Sequence, residues 1–207
     1  PWFPTLPVAI YGKVDNEAGT VIRHSNAFDV PRYQWITTVE QAIEAWPHLT
    51  EILQASGADA WQLAEIDGGV PHITAATQEQ FVPQMINFEL LGGVNFKKGC
   101  YPGQEIVARS QYLGKLKRRM LHASVTATQV AAGTEIFSAD DPDQPCGMVV
   151  NAERSGADTT DCLVGSNWLL LIAPYTWVVP AARCCPSSRC HIHLPTRPPE
   201  LPPANSG

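Results

Sequence analysis

The stretch Lys97–Arg109, KKGCYPGQEIVAR, places a thiol, two amines, a phenol, an amide and a carboxylate side by side. Gly99 and Gly103 bracket Cys100 and Tyr101 and allow the backbone a close approach to a ligand. Proline is favoured at the first position of a helix, so a helix is expected near Pro102. It would run through Gln104, Ile106, Val107 and Arg109 and stop at Gly114. Cys100 would then lie just ahead of a helix N-terminus, where unpaired N–H groups and the macrodipole favour anions. With Lys97 and Lys98 beside it, this is the setting of a reactive or ligand-contacting thiol. Tyr101 is suited to stacking on a flat ring or to donating a hydrogen bond. Gln104 and Glu105 fall on the first turn, where either can cap the backbone; Glu105 can instead accept from a ligand donor. A plainer reading stands beside this one: a Gly-flanked turn entering a helix, with Cys100 as a small buried hydrophobe.

The surrounding charge points to a local anion site. The 207-residue chain carries a net charge of -6, which argues against bulk coating of nucleic acid or binding to an acidic membrane surface. Yet seven of its fourteen basic residues lie between Lys97 and Arg119, opposed there by Glu105 alone. The run KLKRR, Lys115–Arg119, suits an anionic ligand, a nucleic acid, an acidic partner or a solvated face.

The rest of the sequence must position these groups. Hydrophobic content of 44% with 16% charge is ordinary for a soluble globular protein. No apolar run reaches the roughly 20 residues that span a bilayer. No basic region precedes an apolar stretch as in a signal peptide, and the opening at Pro1 reads as mid-domain sequence. Cys100, Cys146 and Cys162 are scattered and read as reduced thiols, placing the chain in the cytoplasm. Thr20–His24 and Arg32–Thr37 read as strands. Thr38 with Gln41 predicts a capped helix start. Ala42, Ile43, Trp46, Leu49, Ile52 and Leu53 give that helix an apolar face; Pro47 is expected to kink or split it, and Gly57 to end it. Asp59–Ile66 reads as a strand. Residues 72–96 read as a mixed loop with short helical pieces. LHASV, TEIF and CGMVV, between Met120 and Val164, read as strands of a small β-barrel. Beyond Gly165 the text changes: residues 166–207 hold no Lys or Asp, and CCPSSRCHIH followed by PTRPPELPP has no period. Cys184, Cys185, Cys190, His191 and His193 lack the paired spacing of a zinc site, and no metal is assigned.

One likeness organises these readings. FVPQMINFELLGGVNFKKGCYPGQEIVARSQYLGKLKRRM, Phe81–Met120, closely resembles the signature region of YgfZ-type proteins, relatives of the glycine-cleavage T-protein. Every fixed position of their K-G-C-Y-x-G-Q-E string is present: Lys98, Gly99, Cys100, Tyr101, Gly103, Gln104 and Glu105. The likeness extends back through EIDGGVPHI and PRYQWI and weakly forward to about Val164. It implies an α+β aminomethyltransferase-like folate-binding fold, shortened at its N-terminus. The expected organisation is a folate-binding region at 1–118, a β-barrel module at 119–165 and an irregular, even out-of-frame, tail at 166–207.

The resemblance implies tetrahydrofolate or a derivative as cofactor. It implies iron–sulfur assembly or client proteins as partners; the short apolar runs argue against a membrane and the net acidity against nucleic acid. Asp67, in IDGGVP, occupies the place where the T-protein relatives set an acidic residue against the pterin, one methylene shorter than their Glu; it reads equally as a turn-initiating aspartate. Cys100 is the expected key thiol, and Asp67, Lys98, Tyr101, Gln104, Glu105 and Arg109 are the expected folate contacts. The expected function is a folate-dependent accessory factor in iron–sulfur cluster assembly or repair, with or without turnover of its own. The alternative is an aminomethyltransferase-like one-carbon transferase; a nucleic-acid-binding module comes third.

Overall fold

A computed structural model describes residues 2–96, 98–112, 118–127, 129–138 and 141–167, together with Trp177–Val178 and Ile192–His193. The chain forms two compact units, Pro1–Gly68 and Gly69–Gly207. Both are built on antiparallel sheets, with few helices, which is an α+β organisation.

The first unit is a three-stranded meander of β1 (Lys13–Asn16), β2 (Gly19–Ala27) and β3 (Val30–Ile36). Both expected strands are present, and β1 precedes them. A two-residue turn, Phe28–Asp29, joins β2 to β3 with φ of +51° and +60°. Two successive left-handed residues match the twist of a hairpin but are unfavourable without glycine.

Helix α1 (Val39–Ile52) starts as its sequence predicts: Thr38 Oγ1 accepts from the Gln41 N–H. The Gln41 amide does not close the box; it donates to the Glu17 carbonyl at 2.7 Å. Pro47 does not split the helix, which continues to Ile52. Thr50 Oγ1 donates to the carbonyls of Trp46 and Pro47 around that point. The helix ends at Leu53, whose N–H donates to the Leu49 carbonyl, not at Gly57. Of its expected apolar face, Ile43, Trp46, Ile52 and Leu53 are exposed, while Ala45 is buried.

Gly57 caps the start of a second helix instead. Asp59–Ile66, expected as a strand, lies in α2 (Ala58–Asp67). Trp61 and Ile66 suggest β structure, but Ala, Gln, Leu and Glu are strong helix formers, and Asp59 in the first turn suits the dipole.

In the second unit, residues 72–96 form turns around a 3-10 helix, Pro83–Ile86, in keeping with the expected mixed loop. Helix α3 (Gln104–Tyr112) follows. The main sheet contains β4 (Arg118–Val125), β5 (Glu135–Ser138), β6 (Asp141–Arg154) and β7 (Thr160–Asn167) in the order β5-β6-β7-β4. Short strands β8 (Trp177–Val178) and β9 (Ile192–His193) extend it beside β5 and β4. The sequence reading had no separate strand for β7, which pairs along its length with both β4 and β6.

Inward residues build the core: Ala123, Val125, Val130, Ile136, Val149, Cys162 and Val164. Gly165 on β7 lies under Phe81, and a Cβ there would fall 2.8 Å from the ring. The segment leading to the KGCYPGQE motif thereby presses directly on the sheet. The cysteine-rich stretch 184–191 and Gly114 lie outside the described residues. No helix among the described residues is long and apolar enough to cross a membrane.

Candidate functional site

The motif loop is a defined turn. The Gln104 N–H donates to the Tyr101 carbonyl at 3.1 Å, and the Tyr101 N–H donates to Gln104 Oε1 at 3.1 Å. Pro102 occupies the second position of this four-residue turn and Gly103, with φ of +82°, the third. Proline followed by a left-handed glycine is the chemistry of a type II turn. The helix therefore begins at Gln104, two residues later than expected. A left-handed Gly103 cannot belong to a right-handed helix, so Pro102 is a turn residue and Cys100 stands further from the helix start. The dipeptide Pro102–Gly103 was the sequence signal for this.

Cys100 is exposed and makes no disulfide, so it is not the buried hydrophobe of the plainer reading. Lys98 is exposed, and its ammonium lies 4.6 Å from the centroid of the half-buried Tyr101 ring. Glu105 and Arg109 lie on the exposed side of α3, one turn apart. Glu toward the N-terminus and Arg toward the C-terminus both suit the macrodipole. Lys97, Lys115 and Lys117 lie outside the described residues. Of the basic run, Arg118 is exposed, whereas Arg119 is half-buried and committed: it donates to Glu89 Oε1 and, at 3.2 Å, to the Gln84 carbonyl.

Asp67 belongs to the first unit, and the other six candidates to the second. It is the last residue of α2, and its Oδ2 accepts from the Phe28 N–H. This bond holds the left-handed turn of the β2–β3 hairpin. Beside it lies a charged pair that sequence reasoning missed. Arg32 Nη1 donates to Glu65 Oε1 at 2.7 Å, with side-chain exposures of 7% and 6%. Arg32 Nε donates to the Ser25 carbonyl, and its guanidinium lies 5.0 Å from the Trp61 ring centroid. Burial, chiefly, and the Glu65 carboxylate raise the Tyr11 phenol above its ordinary value.

A second missed group supports the motif helix. Gln84 is fully buried in the 3-10 helix and donates through Nε2 to the Val107 carbonyl at 2.7 Å. Asn87, at φ +57°, donates to the Met120 carbonyl at 2.8 Å. A polar Gln between Val82, Met85 and Ile86 was the available signal.

The other described thiols are structural. Burial pushes Cys146 up and Cys162 up to about 12. Below the ordinary thiol value of 9.0 the folded and unfolded chains both keep Cys162 protonated. Between 9.0 and about 12 the unfolded chain ionises it and the folded chain does not, so stability is lost as pH rises through that window. Urea midpoints measured from about pH 8 to about pH 11 should fall less steeply in Cys162→Ala than in the parent. Equal slopes would show that this thiol does not control the alkaline limb. Among the described residues no group of three or more His, Cys, Asp or Glu could hold a metal ion.

The chain has similar proteins among those already known. No family model matches the chain. It is 40% identical over 132 residues to the tRNA-modifying protein YgfZ of Photorhabdus laumondii, a match spanning 62% of this chain and 38% of that protein. The proteins of the same name from Klebsiella pneumoniae and Yersinia pestis are 34% and 35% identical over 135 and 133 residues. Those matches cover 65% and 64% of this chain and 41% and 40% of theirs. Over these residues the chain is similar to YgfZ proteins, and it spans about two-fifths of the length of these relatives.

Proposed function

We propose that this chain is part of a folate-dependent accessory factor for iron–sulfur cluster assembly or repair, with Cys100 as the working thiol. The observation that carries the reading is the exposed Cys100 on the complete motif turn, in a chain 34–40% identical to YgfZ proteins. The proposed fold is the aminomethyltransferase-like one, with the second-unit sheet closing as a small barrel, in a cytoplasmic protein. The residues present suit tetrahydrofolate. The Lys98 ammonium and Tyr101 ring offer a cationic and aromatic edge for a flat anion. Asp67 spends one carboxylate oxygen on Phe28 and keeps Oδ1 for a ring N–H. Gln104, Glu105 and Arg109, on the same unit as Lys98, are further proposed contacts, and Asp67 is a separate one on the first unit.

The relatives' name also fits this reading. A factor that keeps an iron–sulfur-dependent tRNA-modifying enzyme active changes tRNA without touching it. A second reading, a folate-dependent transferase acting on tRNA itself, is favoured by that name alone. The net charge of -6 stands against direct binding.

Isothermal titration of tetrahydrofolate into this chain, and in parallel into the Photorhabdus relative, tests the folate claim. Saturable heat with the chain supports it. Silence with both proteins ends it. Binding by the relative alone would mean that these residues carry only part of the pocket. In the second reading, binding to tRNA falls steeply with added salt.

A further inference from the structure

We infer that Gln84 is a positioning residue for the Cys100 loop, setting the pose of the helix into which that loop runs. The inference rests on the reading of Cys100 as the working thiol. Helix α3 has nine residues, and isolated helices of that length do not hold in water. Its own packing is slight: Val107 is its buried side chain, while Ile106 and Tyr112 are 60% and 71% exposed. Phe96 meets the Tyr112 ring edge-on at 5.9 Å.

Among the described residues, a buried side-chain bond holds α3 from outside, from Gln84 Nε2 to the Val107 carbonyl at 2.7 Å. The amide orientation is fixed by chemistry, because the reverse would set a carbonyl oxygen against a carbonyl oxygen. Gln84 is anchored in turn, since its own carbonyl accepts from Arg119 at the start of β4. The remaining amide oxygen, Oε1, is buried with no partner. A buried acceptor left without a donor is destabilising. Leucine would fill this place without that cost; what it cannot do is grip the Val107 carbonyl. From Val107 the constraint passes through the first turn of α3 to Gln104. The paired bonds between Gln104 and Tyr101 then carry it to the residue beside Cys100.

The test compares alkylation of Cys100 by neutral iodoacetamide and by anionic iodoacetate, read in the tryptic peptide Gly99–Arg109 of the whole chain. The two reagents share one chemistry and differ in charge. General loosening raises both rates together, whereas moving the thiol relative to Lys98 changes their ratio. Gln84→Leu is expected to shift the ratio on the order of threefold, with an unfolding midpoint no lower than the parent's. Gln84→Met, which fills the space without a donor, should shift it in the same direction and serves if leucine disturbs the core. An unchanged ratio in both variants overturns the inference. No folate or iron–sulfur activity is read, so a failure of the proposed function would appear separately, in the activity of Cys100→Ala.

Discussion

Replacing Arg32 with methionine is expected to destabilise the protein by about 3–5 kcal/mol, because it takes away the guanidinium that faces the buried Glu65 carboxylate. Both side chains are nearly sealed from solvent, so water cannot take the place of the guanidinium. The substitution also removes the donor to the Ser25 carbonyl and the cation above Trp61. Glu65→Met alone should cost a similar amount for the mirror-image reason. The double variant is the informative one. With both charges gone the desolvation penalty goes too, and the pair of methionines should recover much of the loss of either single change. Urea unfolding followed by circular dichroism and tryptophan fluorescence measures all three. A double variant as unstable as the sum of the singles would show that the pair does not act as a unit.

Cys100→Ala is expected to leave stability untouched and abolish function. The thiol is exposed and free, so its removal opens no cavity, and thermal unfolding should match the parent within about 0.5 kcal/mol. In a strain lacking its own YgfZ protein, the parent chain should restore iron–sulfur enzyme activity and the variant should not. Full rescue by Cys100→Ala would remove the role assigned to this thiol. Loss of rescue with an unchanged melting curve is what separates a working thiol from a packing residue.

Strands β2 and β3 and the start of α1 were legible because their signals are local. Alternating β-branched and aromatic residues mark β2 and β3, and Thr38 announces α1 through one side-chain bond. The motif's residues were legible in its string, but its geometry was not. The helix start at Gln104 depends on the left-handed Gly103, and the proline rule pointed two residues too early. The supports of both units escaped for one reason. Arg32, Glu65 and Gln84 are polar residues that are buried, whereas side chains of these types are mostly exposed. Their partners lie far along the chain: Glu65 is 33 residues from Arg32, and Val107 is 23 from Gln84. α2 was misread because Trp61 and Ile66 outweighed their helix-forming neighbours.

The contact between Phe81 and Gly165 limits how this sequence can drift. With no room for a Cβ beneath the ring, any side chain at 165 demands a smaller one at 81. Shrinking 81 alone leaves a hollow against the sheet. The two positions, 84 residues apart in the chain, are free to vary only as a pair, and homologues that differ at one should differ in compensation at the other.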